Sequence, residues 1–250
     1  MKILDLQKKA FQAQNQISKQ YIKIPGMKER FEIIEISFDI LELFLTIPFR
    51  KNETLAVAFR EIVLRSHRTL QAVTLNATAG LEIPTMSFLR DLIEIEFLLR
   101  YFLINPSEVP KWWQASRETR LRKYSPSKLR AGISKKFPKL KKPMEDDYFG
   151  HCEIASHPTP ESLKLQSEFK DNPLLLPSKD FTFVWICLME VSFHAQRVAE
   201  LVADLGYTIY PQTNMEKKLK KLQKLSLNLP ATRKIGVLLL HDKFARSKKK

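Results

Sequence analysis

The chain has 250 residues, 44% of them apolar and 28% charged, with only six glycines and a formal charge of +15. These fractions are ordinary for a globular protein, and scarce glycine with little apolar–polar alternation argues against a sheet fold. Two cysteines outside any CxxC spacing, Cys152 and Cys187, exclude a disulfide framework and a cysteine metal site and point to a reducing interior.

The segment 4–21 reads as a polar amphipathic helix, broken at Ile24-Pro25-Gly26. A second helix is expected over 27–47, with Phe31, Ile34, Phe38 and Leu41 facing inward and Pro48 ending it. Asn52 is a natural N-cap for a third, which carries Leu55, Phe59, Ile62, Leu70 and Val73 toward Gly80. The stretch PTMSFLRDLIEIEFLLRYFLINP follows, proline-bounded, and predicts a helix over 84–104. Its steps of four and three place Phe88, Leu92, Ile95, Leu99 and Phe102 on one face.

From residue 106 to 143 the chain turns basic, with Trp112 and Trp113 among the cations. Ser125-Pro126 marks a helix start, and residues 137–143 (FPKLKKP) read as a basic linker. A short helix from Asp146 is expected to stop near His157-Pro158, with another over 159–170. The last long helix spans 180–206, carrying Val184, Leu188, Val191, Ala195 and Val198 and ending at Gly206. A basic helix, MEKKLKKLQKL, and a lysine tail complete the chain. The expected fold is all-α: an antiparallel helical bundle over 26–210, with a basic insertion at about 106–143, an N-terminal helix over 1–25 and a basic extension over 211–250. MKILDLQKKAFQ lacks a signal-peptide core and every apolar segment is crossed by charge, so a cytoplasmic protein without membrane insertion is expected.

The charge is concentrated. Residues 111–143 carry +11 and residues 214–250 carry +10, which leaves −6 on the remainder. A mildly acidic body with two basic segments is a footprint for a polyanion. Arg117, Arg120, Arg122, Lys123 and Arg130 in the first segment, and Lys217, Lys218, Lys220 and Lys221 in the second, are the candidate nucleic-acid contacts. A solvated helix face explains the second set equally well. Trp112 and Trp113 either stack on bases or pin the segment to the core.

Arg90 and Glu94 sit one turn apart inside the apolar 84–104 segment. They read as an ionic cluster in a cleft, or as a structural pair at the core or a solvated edge. His157, beside a helix end, is a proton-exchange candidate, with a surface His-Pro turn as the alternative. His151, six residues earlier, makes a poor metal pair with it, since helical zinc motifs favour i and i+4. Glu190, His194 and Arg197 share a helix face offset from the apolar stripe. They form either a polar cluster with Arg90 and Glu94 or a solvent-facing edge. There is no P-loop, GxGxxG or GxSxG motif, so neither cofactor nor metal is expected.

Within residues 88–158, the order FLRDLIE helix, tryptophan, SPSKLR and Y-x-x-x-C-x-x-x-S-H-P resembles a bacterial helical family of unknown function. That family is marked by an Arg-x-x-x-Glu helix and a later Tyr…Ser-His-Pro, and is discussed alongside HEPN domains, many of them toxins or anti-phage defence ribonucleases. The resemblance implies that Arg90, Glu94, Tyr148 and His157 are the site residues. It implies an RNA-directed protein of a defence or toxin system, and a metal-independent ribonuclease in which Arg90 holds phosphate, Glu94 orients and His157 exchanges protons. Two features touch the Arg–His spacing of HEPN ribonucleases. Arg60 and His67 fit it at a level that chance supplies, and Arg233 and His241 stand one residue too far apart. The alternatives are a non-catalytic module binding nucleic acid (RNA before DNA) or a protein partner, and a homodimerising scaffold. The site reading requires that Arg90 and Glu94 face the His157 turn, and it places Glu190 and His194 near them.

Overall fold

The computed structural model describes residues 23–48, 53–153, 181–211 and 215–229, with scattered positions before residue 23. These residues form nine α-helices, with no strand among them: α1 Met27–Thr46, α2 Thr54–Thr78, α3 Glu82–Ile104, α4 Glu108–Gln114, α5 Arg117–Lys123, α6 Pro126–Lys136, α7 Lys141–His151, α8 Phe181–Ile209 and α9 Glu216–Asn228. Most of the expected helix over 4–21, and Asn52, lie outside the described residues.

Helix α8 packs against α1, α2 and α3, and these four make a bundle. Their apolar faces, joined by residues of α4, α6, α7 and α9, bury one continuous core that includes Ile40, Phe59, Leu70, Leu89, Phe102 and Val198. The basic insertion folds onto this bundle. Helix α4 lies on α2, α6 and α7 lie on α3, and α6 and α7 touch each other. Helix α9 covers α1. Among the described residues, no helix is long and apolar enough to cross a membrane.

Three expectations are corrected by packing. Phe88, placed in the inner stripe of α3, is 38% exposed, whereas its neighbour Leu89 is fully buried beside Leu92, Leu99 and Phe102. The apolar face is wide enough that the four-and-three steps fit two registers. Gly206 does not end α8. The helix runs on to Ile209, because a side chain at 206 would collide with Phe44, whose Cζ lies 2.2 Å from the position a Cβ would take. Glycine here is a packing choice between two helices and not a stop signal. Residues 137–143 are not a linker but a 3₁₀ turn, Pro138–Leu140, leading into α7. Pro143 sits in the first turn of α7, where its missing N–H has no helical partner to lose.

Trp112 packs edge-on against Phe102, ring centroids 5.6 Å apart, and pins α4 to the bundle. Trp113 next to it is 40% exposed.

Candidate functional site

Two polar clusters meet across α3 and α7. The outer one assembles Arg90, Glu94 and Tyr148. Arg90 Nε lies 3.3 Å from Glu94 Oε1, and each side chain is about one-third exposed, 32% and 34%. Arg90 Nη2 donates to the Tyr148 hydroxyl at 3.2 Å, and that hydroxyl donates to Glu94 Oε1 at 3.2 Å. The guanidinium of Arg130, from α6, stacks over the Tyr148 ring at 4.4 Å and reaches Phe97 at 5.5 Å. Burial raises the Tyr148 phenol above its ordinary value, with Arg90 opposing and Glu94 adding. The phenol therefore keeps its proton at neutral pH. This arrangement offers a guanidinium, a phenolic O–H and a carboxylate at one partly open position.

The inner cluster is the more deeply charged. Glu96, two residues past Glu94 and so turned toward the opposite side of α3, is fully buried. His194 Nδ1 on α8 is 2.5 Å from its Oε1, and Arg197 Nε is 2.9 Å from its Oε2. Arg197 Nη1 also donates to Asp147 Oδ2 on α7 at 3.2 Å. His194 Nε2 looks the other way, 3.5 Å from Glu190 Oε2 and 3.7 Å from Asp147 Oδ1. His151, one turn beyond Asp147, donates its Nδ1 proton to the Asp147 carbonyl at 2.8 Å, and its ring meets that of His194 edge-on at 5.6 Å. Arg30 on α1 donates to Ser192 Oγ at 3.2 Å. Burial works against a charged His194, yet Glu96, Asp147 and Glu190 together push it up to about 9. Burial likewise raises the Glu190 carboxyl, but the facing histidines outweigh it and hold the group below its usual range.

The basic segments separate into two kinds. Between α3 and the α5–α6 corner lies a cleft of ≈ 630 Å³, lined by Asn105, Ser107, Arg122, Lys123, Lys128 and Lys135, with Glu108 as its one carboxylate. On the other side of α6 a hollow of ≈ 380 Å³ is lined by Arg130, Ser134, Lys135 and Lys141, with Glu145 at one edge. Helix α9 differs. Lys218 pairs with Asp39, Lys221 with Glu32 at 2.5 Å and Lys220 with Glu216 at 2.5 Å. Lys218 and Lys221 dock α9 on the acidic face of α1, while the Lys220 pair lies within α9 itself. Arg120 turns back to the Ala115 carbonyl at 2.6 Å, and Arg117 is exposed.

Of the residues singled out in the sequence, Arg90, Glu94 and Tyr148 converge, while His157 lies outside the described residues. Glu190 and His194 do not join Arg90 and Glu94; they meet Glu96, Asp147 and His151 instead. Arg60 and His67 have separate neighbours, with Arg60 acting on Tyr210 and His67 facing Glu42 at 3.2 Å. Sequence reasoning passed over Glu96 and Asp147. The available signal was spacing: Asp147-x-x-x-His151 and Glu190-x-x-x-His194 each put an acid and a histidine one turn apart. No protein-family model, curated protein or solved structure matches the chain.

Proposed function

We propose that the protein is an RNA-directed helical module that grips the phosphodiester backbone along the α5–α6 face. The single observation that carries this reading is the cleft in which Arg122, Lys123, Lys128 and Lys135 gather around the polar groups of Asn105 and Ser107. The paired lysines of α9 contribute less, because a cation already neutralised by Asp39 or Glu32 releases fewer counterions on meeting a phosphate. Lys135 borders both hollows beside α6, so the basic track continues from the cleft toward Arg130 and the Tyr148 cluster. Exposed Trp113 is available to stack on a base.

Binding of a short single-stranded RNA, followed by fluorescence anisotropy from low to high salt, tests the reading. Four phosphate contacts predict a log–log slope of about −3. A slope near zero contradicts it.

The outer cluster favours a second reading, a metal-independent ribonuclease. Arg90 would stabilise charge on a phosphoryl oxygen, Tyr148 would supply a proton and Glu94 would orient both. Cleavage of the same RNA in EDTA by wild-type protein, lost in Arg90→Ala and Tyr148→Phe, supports this reading. Intact RNA at high protein excess removes it and leaves the binding module.

A further inference from the structure

The inner cluster holds more than an ion-pair network requires. His194 is fully buried and His151 is 8% exposed, and the Nε2 atom of each is buried without a hydrogen-bond partner. Leaving a buried polar nitrogen unpaired costs about 1–3 kcal/mol. His194 Nε2 has only the long Glu190 and Asp147 contacts at 3.5 and 3.7 Å, and a ligand seated among these groups would satisfy both nitrogens. The other ring nitrogen of each histidine is fixed. His194 Nδ1 is held by the Glu96 carboxylate at 2.5 Å, and His151 Nδ1 by the Asp147 backbone carbonyl at 2.8 Å. With Nδ1 held in each ring, Nε2 is the atom turned into the cluster, and a metal ion taking its lone pair would displace the proton that His194 carries there; carboxylates and carbonyls orient metal-binding imidazoles from behind in this way. Potential ligand atoms of His151, Glu190 and His194 lie within 4.8 Å of one another.

From this geometry we infer that His151, Glu190 and His194 bind a divalent first-row transition-metal ion that ties α7 to α8. Ligand atoms on a tetrahedral ion at about 2.1 Å stand about 3.4 Å apart. His194 Nε2 and Glu190 Oε2 already stand at 3.5 Å. Asp147 Oδ1, at 3.7 Å from the same nitrogen, is placed for the fourth position. From 4.8 Å at most, the remaining contacts close by up to about 1.4 Å to reach that spacing, a movement the His151 side-chain torsions supply. Two imidazoles and one or two carboxylates suit zinc and its neighbours, and do not suit calcium or magnesium, which take oxygen donors.

Charge points the same way. Five carboxylates act on this region, those of Glu96, Asp147, Glu190, Glu200 and Asp204. Three guanidiniums, of Arg30, Arg100 and Arg197, oppose them. These carboxylates and guanidiniums sum to −2; a proton on His194 offsets half of that, and a dication that displaces the proton cancels all of it. The ligands are 0–8% exposed, so the site is closed and structural and has no open position for substrate. It holds α7 in the place from which Tyr148 meets Arg90 and Arg130.

The test uses the full-length protein, stripped with a chelator and dialysed. Zinc is titrated by calorimetry, with manganese and magnesium run in parallel, and cobalt is added to read visible ligand-field bands. The expected result is about one equivalent of zinc, tighter than manganese by at least ten-fold, no magnesium binding, and tetrahedral cobalt bands. His151→Asn and Glu190→Gln should each weaken zinc at least 100-fold. Glu96→Gln, which leaves the three ligands in place but alters the group behind His194, should weaken it 10–100-fold. Each variant is first checked for native helicity by circular dichroism, and His151→Asn, at the edge of the cluster, is the variant least disruptive to packing. Sub-stoichiometric zinc without cobalt bands overturns the inference, as does binding that His151→Asn and Glu190→Gln leave unchanged.

Discussion

Replacing Glu96 by glutamine separates a buried ionic network from an ordinary helix-surface pair. The carboxylate is fully buried and takes two charge-assisted contacts, from His194 at 2.5 Å and Arg197 at 2.9 Å. Glutamine keeps the shape but removes the charge, and its amide nitrogen cannot accept from either donor. Losing one partner of a buried pair costs about 3–5 kcal/mol, because the remaining charges stay out of water. For a chain of this size that amounts to a melting temperature lower by about 6–20 °C. Glu94→Gln is the control. Its pair with Arg90 is one-third exposed, and such pairs contribute about 1 kcal/mol or less. Urea denaturation and calorimetry of chelator-treated proteins read the difference without any contribution from bound metal. The reasoning fails if Glu96→Gln lies within about 1 kcal/mol of wild type, or if Glu94→Gln costs as much.

Other predictions follow from single contacts. Gly206→Ala drives a methyl into Phe44 and should destabilise by about 1–3 kcal/mol, with Phe44→Leu recovering part of the loss; additive effects in the double variant would contradict the contact. The Tyr124 hydroxyl donates to Glu108 Oε2 at 2.8 Å, and burial together with that carboxylate pushes its ionisation up to about 12. A raised tyrosine contributes stability that is complete below its ordinary value near 10 and is lost as pH rises toward 12. A spectroscopic phenolate titration, wild type minus Tyr124→Phe, should place this group near 12, and a value near 10 would refute the contact. Arg130→Ala removes the guanidinium stacked on Tyr148 and should leave helicity unchanged while shifting the tyrosine near-ultraviolet circular dichroism; an unaltered spectrum counts against the stack.

Local signals in the chain located most of the described helices but not α4 or α5, because apolar periodicity and proline positions report on a segment's own backbone and these two short helices carry little of either. They placed α1 and α3 within two residues of their ends and found the start of α6 at Ser125-Pro126. They failed where a neighbour decides the outcome. Gly206 reads as a terminator until Phe44 is seen beneath it, and Pro143 as a linker mark until it proves to sit in a first helical turn. That Arg90, Glu94 and Tyr148 belong together was implied only by the family resemblance, since Tyr148 lies 58 and 54 residues from its two partners and no spacing rule joins them. The inner cluster was not. Its carboxylates and histidines come from three helices and stand up to 98 residues apart, and periodicity carries no information on which helix faces which. Glu96 follows Ile95 inside an apolar run, and nothing local distinguishes a buried carboxylate from one at the helix edge.

The basic face of α5–α6 as the RNA contact is tested most directly by two double variants of equal net charge, Lys128→Gln/Lys135→Gln and Lys218→Gln/Lys221→Gln. Each removes two positive charges, the first pair from the open cleft and the second from lysines already paired with Asp39 and Glu32. RNA affinity is measured across a salt series. The first pair should lower the magnitude of the log–log slope by about 1.4, two contacts at about 0.7 each, while the second leaves it near the wild-type value. Equal losses from the two pairs, or a larger loss from α9, would contradict the assignment.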